Sequence, residues 1–225
     1  MTQYRKHRGE EVHAGSNIQE RFGSPLVYEP GTSWRYSPSL DWTGKLVERL
    51  TGKTLEIYMD ENICAPLEVN DIGFLAEKHP EIKSRISGLA VRIPGGLLMN
   101  CPVPQVVTAS TDCEGGGGAY ASLPAYFEVL RSLLRNDEKL LKKETAIAFF
   151  VPQLNGEQRK ALAAQMSEPE FVGHLPPLVG WDHGLGGILS SSDDAGWRRK
   201  GTLIWTGLFN LIWVSSTHPL VRIHY

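Results

Sequence analysis

The chain of 225 residues is 41% hydrophobic and 21% charged, a composition typical of a soluble globular protein and not of a disordered one. Its formal net charge of -2 lacks the excess of Lys and Arg that nucleic-acid-binding proteins carry, so we expect no nucleic-acid partner. The longest apolar run, Leu203 to Val214, is far shorter than the roughly 20 residues of a membrane-spanning helix, so we expect no membrane partner either.

The first predicted elements are an extended segment and a helix. Residues 24–31 contain proline and glycine where an extended piece closes in a turn. Over residues 40–50 the apolar positions recur at helical spacing, which predicts a helix. Ser39 is the predicted N-cap of this helix, and Gly52 is the predicted left-handed residue at its C-terminal end.

A second helix and three short strands follow. Thr54 is the predicted cap of this helix, which we expect to pair with the first as a helical hairpin. It should end before Ala65-Pro66-Leu67, because a proline disfavours helical backbone in the residue that precedes it. Short strands are predicted at 71–74, 87–92 and 97–99, with a tight turn at Pro94-Gly95-Gly96.

The second half of the chain changes from helices to strands. Ser122 is predicted to cap a helix that reaches about Asn136, with Pro124 in its first turn. The apolar face of this helix consists of Phe127, Leu130, Leu133 and Leu134. Further helices are predicted at 142–150 and 156–166, and strands at 184–189, 201–205 and 209–214.

Tyr36 is the first candidate for chemistry, because it lies between a turn and a helix, where side chains are presented to a cleft. A tyrosine there can move a proton only if nearby cations lower its pKa from about 10. The alternative is a surface or packing aromatic. Trp205-Thr206-Gly207 is the second candidate: it ends an apolar strand, and the next backbone N–H could stabilise an oxyanion. The alternative there is an ordinary strand whose glycine lets two elements pass closely.

Other motifs point away from cofactors and metals. The glycine run 115–118 lacks the Lys-Ser/Thr of a phosphate-binding loop, and Ser190 to Asp194 is most simply a solvated turn. The histidine spacings match no metal-ligand pattern, so we expect no metal. Asp182-His183 could suggest an acid-oriented base, but neighbouring side chains rarely converge and no GxSxG elbow is present.

The cysteines and the N-terminus indicate the compartment. Cys64, Cys101 and Cys113 show no CxxC spacing, which favours buried thiols in a reducing environment. The basic N-terminal residues are not followed by an apolar core, as a secretory signal would require. We therefore predict a cytoplasmic protein.

Several motifs follow one another in a characteristic order. The most specific stretch, Pro25 to Phe74, contains Tyr-Glu-Pro-Gly-Thr-x-Trp-x-Tyr-Ser and Asp-Trp-x-Gly-Lys-Leu-Val-Glu. The segments that begin at Cys113 and at Gly196 extend the match to about residue 213. Together they resemble the serine β-lactamase-related family, in particular its class C-like esterases and fungal polyketide acyltransferases.

The resemblance implies an α+β fold of the β-lactamase/transpeptidase type, with helices around an antiparallel sheet. We predict a single partial domain over residues 1–225. It would be mainly helical with short strands over 1–175, with sheet strands over 180–214 and an atypical tail over 215–225. A sheet formed only by these C-terminal strands would be incomplete, with uncovered edges and an apolar face without its helix.

The resemblance also implies roles for the candidate residues. In the family a Ser-x-x-Lys serine attacks an ester, amide or thioester, and the lysine and a tyrosine move the proton. Tyr36 matches that tyrosine, Trp205-Thr206-Gly207 matches the third motif, and the backbone N–H of Leu208 would be an oxyanion donor. Pro38 replaces an asparagine, and Trp205 replaces a lysine that would lower the tyrosine pKa. No Ser-x-x-Lys occurs in the chain.

Three hypotheses remain open at this stage. The chain is a fragment of a serine hydrolase or acyltransferase that is inactive alone, with a small acyl or ester molecule as its family partner. It is instead a non-catalytic module that holds a small ligand or a protein. Or a longer transcript restores Ser-x-x-Lys and encodes an active esterase or transesterase. Substrate and oligomeric state are not predicted.

Overall fold

The computed structural model describes residues 2–11, 15–101, 110–167, 180–194, 198–207 and 211–217. The chain divides into two compact units, each with its own hydrophobic cluster. The first unit comprises Met1–Leu26 and Ser37–Glu128, and the second comprises Val27–Tyr36 and Val129–Tyr225. The single domain over 1–225 stays a prediction, and most of the predicted tail, 218–225, lies outside the described residues.

The first unit is mainly helical. Its helices are α1 Thr2–His7, α2 Ile18–Phe22, α3 Ser39–Thr51, α4 Leu55–Met59, α5 Ala65–Leu67 and α6 Pro80–Lys83. A further helix, α7 Leu123–Arg135, contributes residues 123–128 to this unit. A π-helical turn spans Asp60–Cys64, and a 3-10 turn spans Ala76–Lys78. Two antiparallel pairs join β1 Ile72–Gly73 to β4 Tyr120–Ala121 and β2 Leu89–Arg92 to β3 Leu98–Cys101.

Helix α3 confirms the predicted helix over 40–50 but starts differently. Its N-cap is Pro38, and no side chain caps it; the Oγ atom of Ser39 lies 2.6 Å from that of Ser37. The predicted Ser39 cap is therefore wrong, because this hydroxyl bonds to a neighbouring hydroxyl and not to the backbone of the first turn. Gly52 ends the helix with φ 71°, as predicted.

The second predicted helix is longer than expected. Thr54 caps α4 by accepting a hydrogen bond from the N–H of Ile57, as predicted. The helical path does not end before Ala65-Pro66-Leu67, because the π-helical turn connects α4 directly to α5. Pro66 is tolerated in the first turn of α5, where a missing N–H breaks few helical hydrogen bonds.

The second unit is built on a four-stranded antiparallel sheet. Its strands are β5 Trp181–His183, β6 Ile188–Ser190, β7 Leu203–Thr206 and β8 Ile212–Ser215, in the order β5-β6-β7-β8. Two further helices are α8 Lys143–Ala148 and α9 Gly156–Met166. The predicted strand over 184–189 is wrong in its first half, since residues 184–187 form the β5–β6 turn, in which Gly184 N–H donates to Gly187 O at 2.8 Å.

Helix α9 covers one face of this sheet. Leu162 is fully buried and packs with Trp181, Ile188 and Ile204, of which Ile188 and Ile204 are directly opposite each other in the register. The face of the sheet that carries Ile188 and Ile204 is therefore covered by a helix. Helix α7 also differs from its prediction: Ser122 caps it, but Phe127 is 57% exposed while Ala125 and Ser132 are buried.

Candidate functional site

Helix α9 holds the segment that carries Tyr36. The backbone N–H of Tyr36 donates to Oε1 of Gln165 at 2.8 Å, and Nε2 of Gln158 donates to the carbonyl of Gly31 at 2.8 Å. Gln158 and Gln165 are seven residues apart, so both lie on one face of the helix. Two glutamines thus fix both ends of the segment 31–36.

The start of α9 in turn fixes Gln158. Asn155 and Gln158 form a capping box: Asn155 Oδ1 accepts the N–H of Gln158 at 3.0 Å, and Gln158 Oε1 accepts the N–H of Asn155 at 2.8 Å. The amide nitrogen of the same side chain donates to the carbonyl of Gly31. The position of the Gln158 side chain is therefore fixed at both its oxygen and its nitrogen, and its bond to Gly31 holds the start of the segment 31–36.

Four rings form an aromatic cluster, defined as Trp34, Tyr36, His183 and Trp205. The ring centroids of Tyr36 and Trp205 are 6.0 Å apart, those of Trp205 and His183 are 5.8 Å apart, and those of His183 and Trp34 are 5.8 Å apart. These separations lie within the range of attractive aromatic contacts. The structure thus brings Tyr36 to Trp205 and adds Trp34 and His183, which the sequence did not assign to the site.

The remaining residues of the third motif serve the strand. Thr206 pairs with Ile212 across β7 and β8, and the N–H of Gly207 donates to the carbonyl of Leu211 at 2.9 Å. The amide of Gly207 therefore supports the β7–β8 connection. Leu208 lies outside the described residues, so its role as an oxyanion donor stays a prediction.

Asp182 organises the backbone beside the aromatic cluster. Its side chain is 2% exposed. Its Oδ1 atom accepts the N–H groups of Gln153, Leu154 and His183 at 3.2, 3.1 and 2.8 Å, and Oδ2 accepts a hydrogen bond from Arg159 at 3.0 Å. The carboxylate therefore bonds to the backbone of His183, and the ring of His183 bonds elsewhere. Asp182-His183 is not the acid-oriented base of a triad.

The imidazole of His183 has a defined tautomer. Its Nδ1 atom lies 2.5 Å from the carbonyl oxygen of Gly184. Because a carbonyl can only accept, Nδ1 carries the proton and Nε2 carries the lone pair. Burial lowers the pKa of His183 below its ordinary value of 6.5, against the opposing effects of the bond to Gly184 and the charge of Asp182. The ring is therefore neutral at pH 7.

This lowered pKa predicts a pH dependence of stability. Above pH 6.5 the imidazole is neutral in both states; below it, the unfolded chain binds a proton that the folded chain does not. We expect the free energy of unfolding to fall, as the pH drops from above 6.5 to below it, more steeply in the wild type than in His183→Gln. Urea unfolding across this range, with an NMR titration of the imidazole, measures it. Equal pH slopes in both proteins, or an imidazole that titrates at or above 6.5, would contradict the burial effect.

No cluster of three or more His, Cys, Asp or Glu side chains that could hold a metal ion occurs within the described residues. Among those residues, no helix has the length and apolar character needed to cross a membrane. Cys64 and Cys113 are buried and are not joined to each other in a disulfide.

An antiparallel sheet packed against helices, with a tyrosine beside a Trp-Thr-Gly strand, defines the β-lactamase/transpeptidase-like class of α+β proteins. The chain belongs to the Beta-lactamase family, whose sequence model matches residues 9–223. The resemblance and the fold class predicted from the sequence are confirmed.

The matching relatives include fungal acyltransferases and esterases. ML-236A carboxylate methylbutanoyltransferase mlcH from Penicillium citrinum is 36% identical over 201 residues, 87% of this chain and 48% of that protein. Lovastatin esterase from Penicillium rubens is 34% identical over 202 residues, 87% of this chain and 50% of that protein. A mutant of simvastatin synthase from Aspergillus terreus has a TM-score of 0.80 at 36% identity, covering 86% of this chain and 50% of that one. The chain spans about half the length of these relatives.

Proposed function

We propose that this chain forms the part of an acyl-transfer or ester-hydrolysis site that carries the tyrosine and the Trp-Thr-Gly strand. It binds a small acyl ester or thioester but does not turn it over alone. The observation that carries the proposal is the contact between the rings of Tyr36 and Trp205, with centroids 6.0 Å apart. Each of these residues matches a separate motif of the family, and the second unit holds both.

In this proposal each residue has a chemical role. Tyr36 is 60% exposed, so its hydroxyl can reach a ligand, and it would move a proton only where cations outside this motif lower its pKa. Trp205 forms a wall for the acyl chain, and the N–H of Leu208 is an oxyanion donor. The chain has no Ser-x-x-Lys, so no acyl-enzyme of the family type forms on it.

The names of the relatives support the class of ligand. One is a methylbutanoyltransferase and another is an esterase. A transferase of this name moves an acyl group, and an esterase cleaves the bond between an acyl group and an oxygen atom. A cytoplasmic location belongs to the same proposal, and the burial of the Cys64 and Cys113 thiols supports it.

Three measurements test the proposal on the purified chain. A fluorophosphonate probe should label no serine stoichiometrically, and p-nitrophenyl butyrate should be hydrolysed no faster than in buffer. Calorimetric titration with a butyryl thioester should show saturable binding, weakened at least about tenfold by Trp205→Ala. Trp42→Ala is the matched control, since it removes an exposed indole of the first unit that is not part of the aromatic cluster, and it should bind normally.

Stoichiometric labelling of a serine would contradict the proposal that the chain has no turnover on its own. Lack of saturable binding by the folded wild-type chain would refute the ligand site. Circular dichroism of both variants, with Trp205→Phe as a milder change, separates loss of the wall from loss of the fold.

A further inference from the structure

The imidazole of His183 has one nitrogen that the fold does not use. Its Nδ1 atom donates to the carbonyl of Gly184, so the lone pair lies on Nε2, the atom at the outer end of the ring. Within the part of the chain that the structure describes, no group donates a hydrogen bond to Nε2. The residue is partly exposed, so a molecule in solution can reach this end of the ring. His183 therefore offers a hydrogen-bond acceptor to a ligand.

The surroundings of this acceptor are aromatic. His183 lies between Trp34 and Trp205, and its ring centroid is 5.8 Å from that of each indole. Trp205 also contacts Tyr36, with ring centroids 6.0 Å apart. All four residues belong to the second unit. The acceptor is thus a single polar atom beside the ring that forms the wall for the acyl chain in the proposed function.

The neutral state of the ring decides which groups Nε2 can bind. Because burial lowers the pKa of His183, the imidazole carries no second proton at pH 7 and Nε2 only accepts. A carboxylate or phosphate has no hydrogen to donate to it. An ammonium group would bring its charge among aromatic rings without a carboxylate to pair with, since Asp182 is already bonded to Arg159 and to three backbone N–H groups. The donor that fits is an uncharged hydroxyl on an apolar body.

We propose that Nε2 of His183 accepts a hydrogen bond from a hydroxyl group of the ligand and makes the site selective for hydroxylated molecules. This inference rests on the proposed function, because it takes Trp205 as a wall of the site. A ligand against Trp205 also covers the neighbouring imidazole and excludes water from it. A methylene group at that place leaves the lone pair without a donor, whereas a hydroxyl replaces the hydrogen bond to water.

The hydroxyl can belong to the acyl chain or to a separate alcohol, and the test has one arm for each source. Calorimetric titration of the purified chain compares the hexanoyl and 6-hydroxyhexanoyl thioesters of N-acetylcysteamine. In the second arm, the ¹⁵N resonance of His183 Nε2 is followed by NMR during titration with cyclohexanol and with cyclohexanone, which has a similar ring but no donor. The same resonance is followed with both thioesters.

We expect the hydroxylated thioester to bind at least about tenfold more tightly than the alkyl one, or cyclohexanol to move the Nε2 resonance where cyclohexanone does not. The first result identifies the acyl chain as the source of the hydroxyl, and the second identifies a separate alcohol. In either case the resonance should move only with the hydroxylated probes.

His183→Phe keeps an aromatic ring and removes the acceptor, so the ratio of the two thioester affinities should fall to about one. His7→Phe is the matched control, because it removes an exposed imidazole from the first unit; it should keep the wild-type ratio. Circular dichroism reports on the fold of both variants. If His183→Phe does not fold, the Nε2 resonance of the wild type still decides.

The outcomes separate this inference from the proposed function. Equal affinities for the two thioesters, with an Nε2 resonance that no hydroxylated probe moves, overturn the role of His183 and leave the acyl site in place. A preference for the hydroxyl that persists in a folded His183→Phe variant overturns it as well. Absence of saturable binding by either thioester contradicts the proposed function, and the inference then fails with it.

Discussion

Replacing Asp182 with alanine is expected to lower the free energy of unfolding of the second unit by about 3–5 kcal/mol. The carboxylate is buried, and it accepts three backbone N–H groups as well as the guanidinium of Arg159. Alanine would remove the acceptor of the Leu154 and His183 amides, while the amide of Gln153 would keep only its second acceptor, the carbonyl of His183 at 3.0 Å. Because Gln153 and Leu154 lead directly into α9, the helix that holds Tyr36 should also lose its position.

Arg159→Ala is the matched control for the other half of this ion pair. Its side chain is 48% exposed, and the buried carboxylate that it leaves behind keeps its three backbone N–H donors, so the expected loss is smaller, about 1–2 kcal/mol. Denaturant unfolding followed by tryptophan fluorescence gives both values, and an NMR cross-peak between the Tyr36 and Trp205 rings reports on α9. Equal losses in the two variants would show that the backbone bonds to Asp182 contribute little.

Gly184→Ala is expected to destabilise the second unit by about 3 kcal/mol. A Cβ atom at this position would lie 2.1 Å from the carbonyl oxygen of Phe149 and 3.0 Å from Cδ1 of Leu203. The first of these is a backbone atom, so it cannot turn away as a side chain can. The β5–β6 turn would have to move away from the residues that follow α8, and His183 would move with it.

Gly156→Ala in the same unit is the control for this substitution. Gly156 begins α9, and a Cβ atom there would meet nothing within 4 Å. Alanine should leave stability unchanged or raise it by up to about 1 kcal/mol, because it favours the helix. Thermal unfolding of both variants beside the wild type measures the difference. A Gly184→Ala protein as stable as Gly156→Ala would disprove the close approach to Phe149.

Local signals in the sequence predicted several elements correctly. Helix α3 and its Gly52 end, the Thr54 cap and the β2–β3 hairpin depend on residues close together in the chain, so spacing and turn chemistry suffice. The errors occurred where two local structures compete. Gly184 to Gly187 was predicted as the start of a strand, but three of its four residues are glycines, which favour a turn, and the segment forms the β5–β6 turn close to Phe149.

The candidate site was only partly predictable. Tyr36 and the Trp205 motif were recognisable because each stands in a family pattern. Gln165 was not, since nothing near it in the sequence marks a residue that bonds to Tyr36 from 129 positions away. His183 was considered with Asp182 beside it, but its actual neighbours are rings brought in by the sheet and the 31–36 segment.

By itself, the sequence determined the family of this chain and the lack of a Ser-x-x-Lys motif, because both are properties of residue order. Only the tertiary structure decided which side of an amphipathic helix is buried. Periodicity in α3 places Trp42, Leu46 and Leu50 on one side but does not say what faces that side. The charged residues opposite them, Asp41 and Lys45, found partners in Gly116 and Asp112, and those paired charges, distant in sequence, turned the apolar side outward.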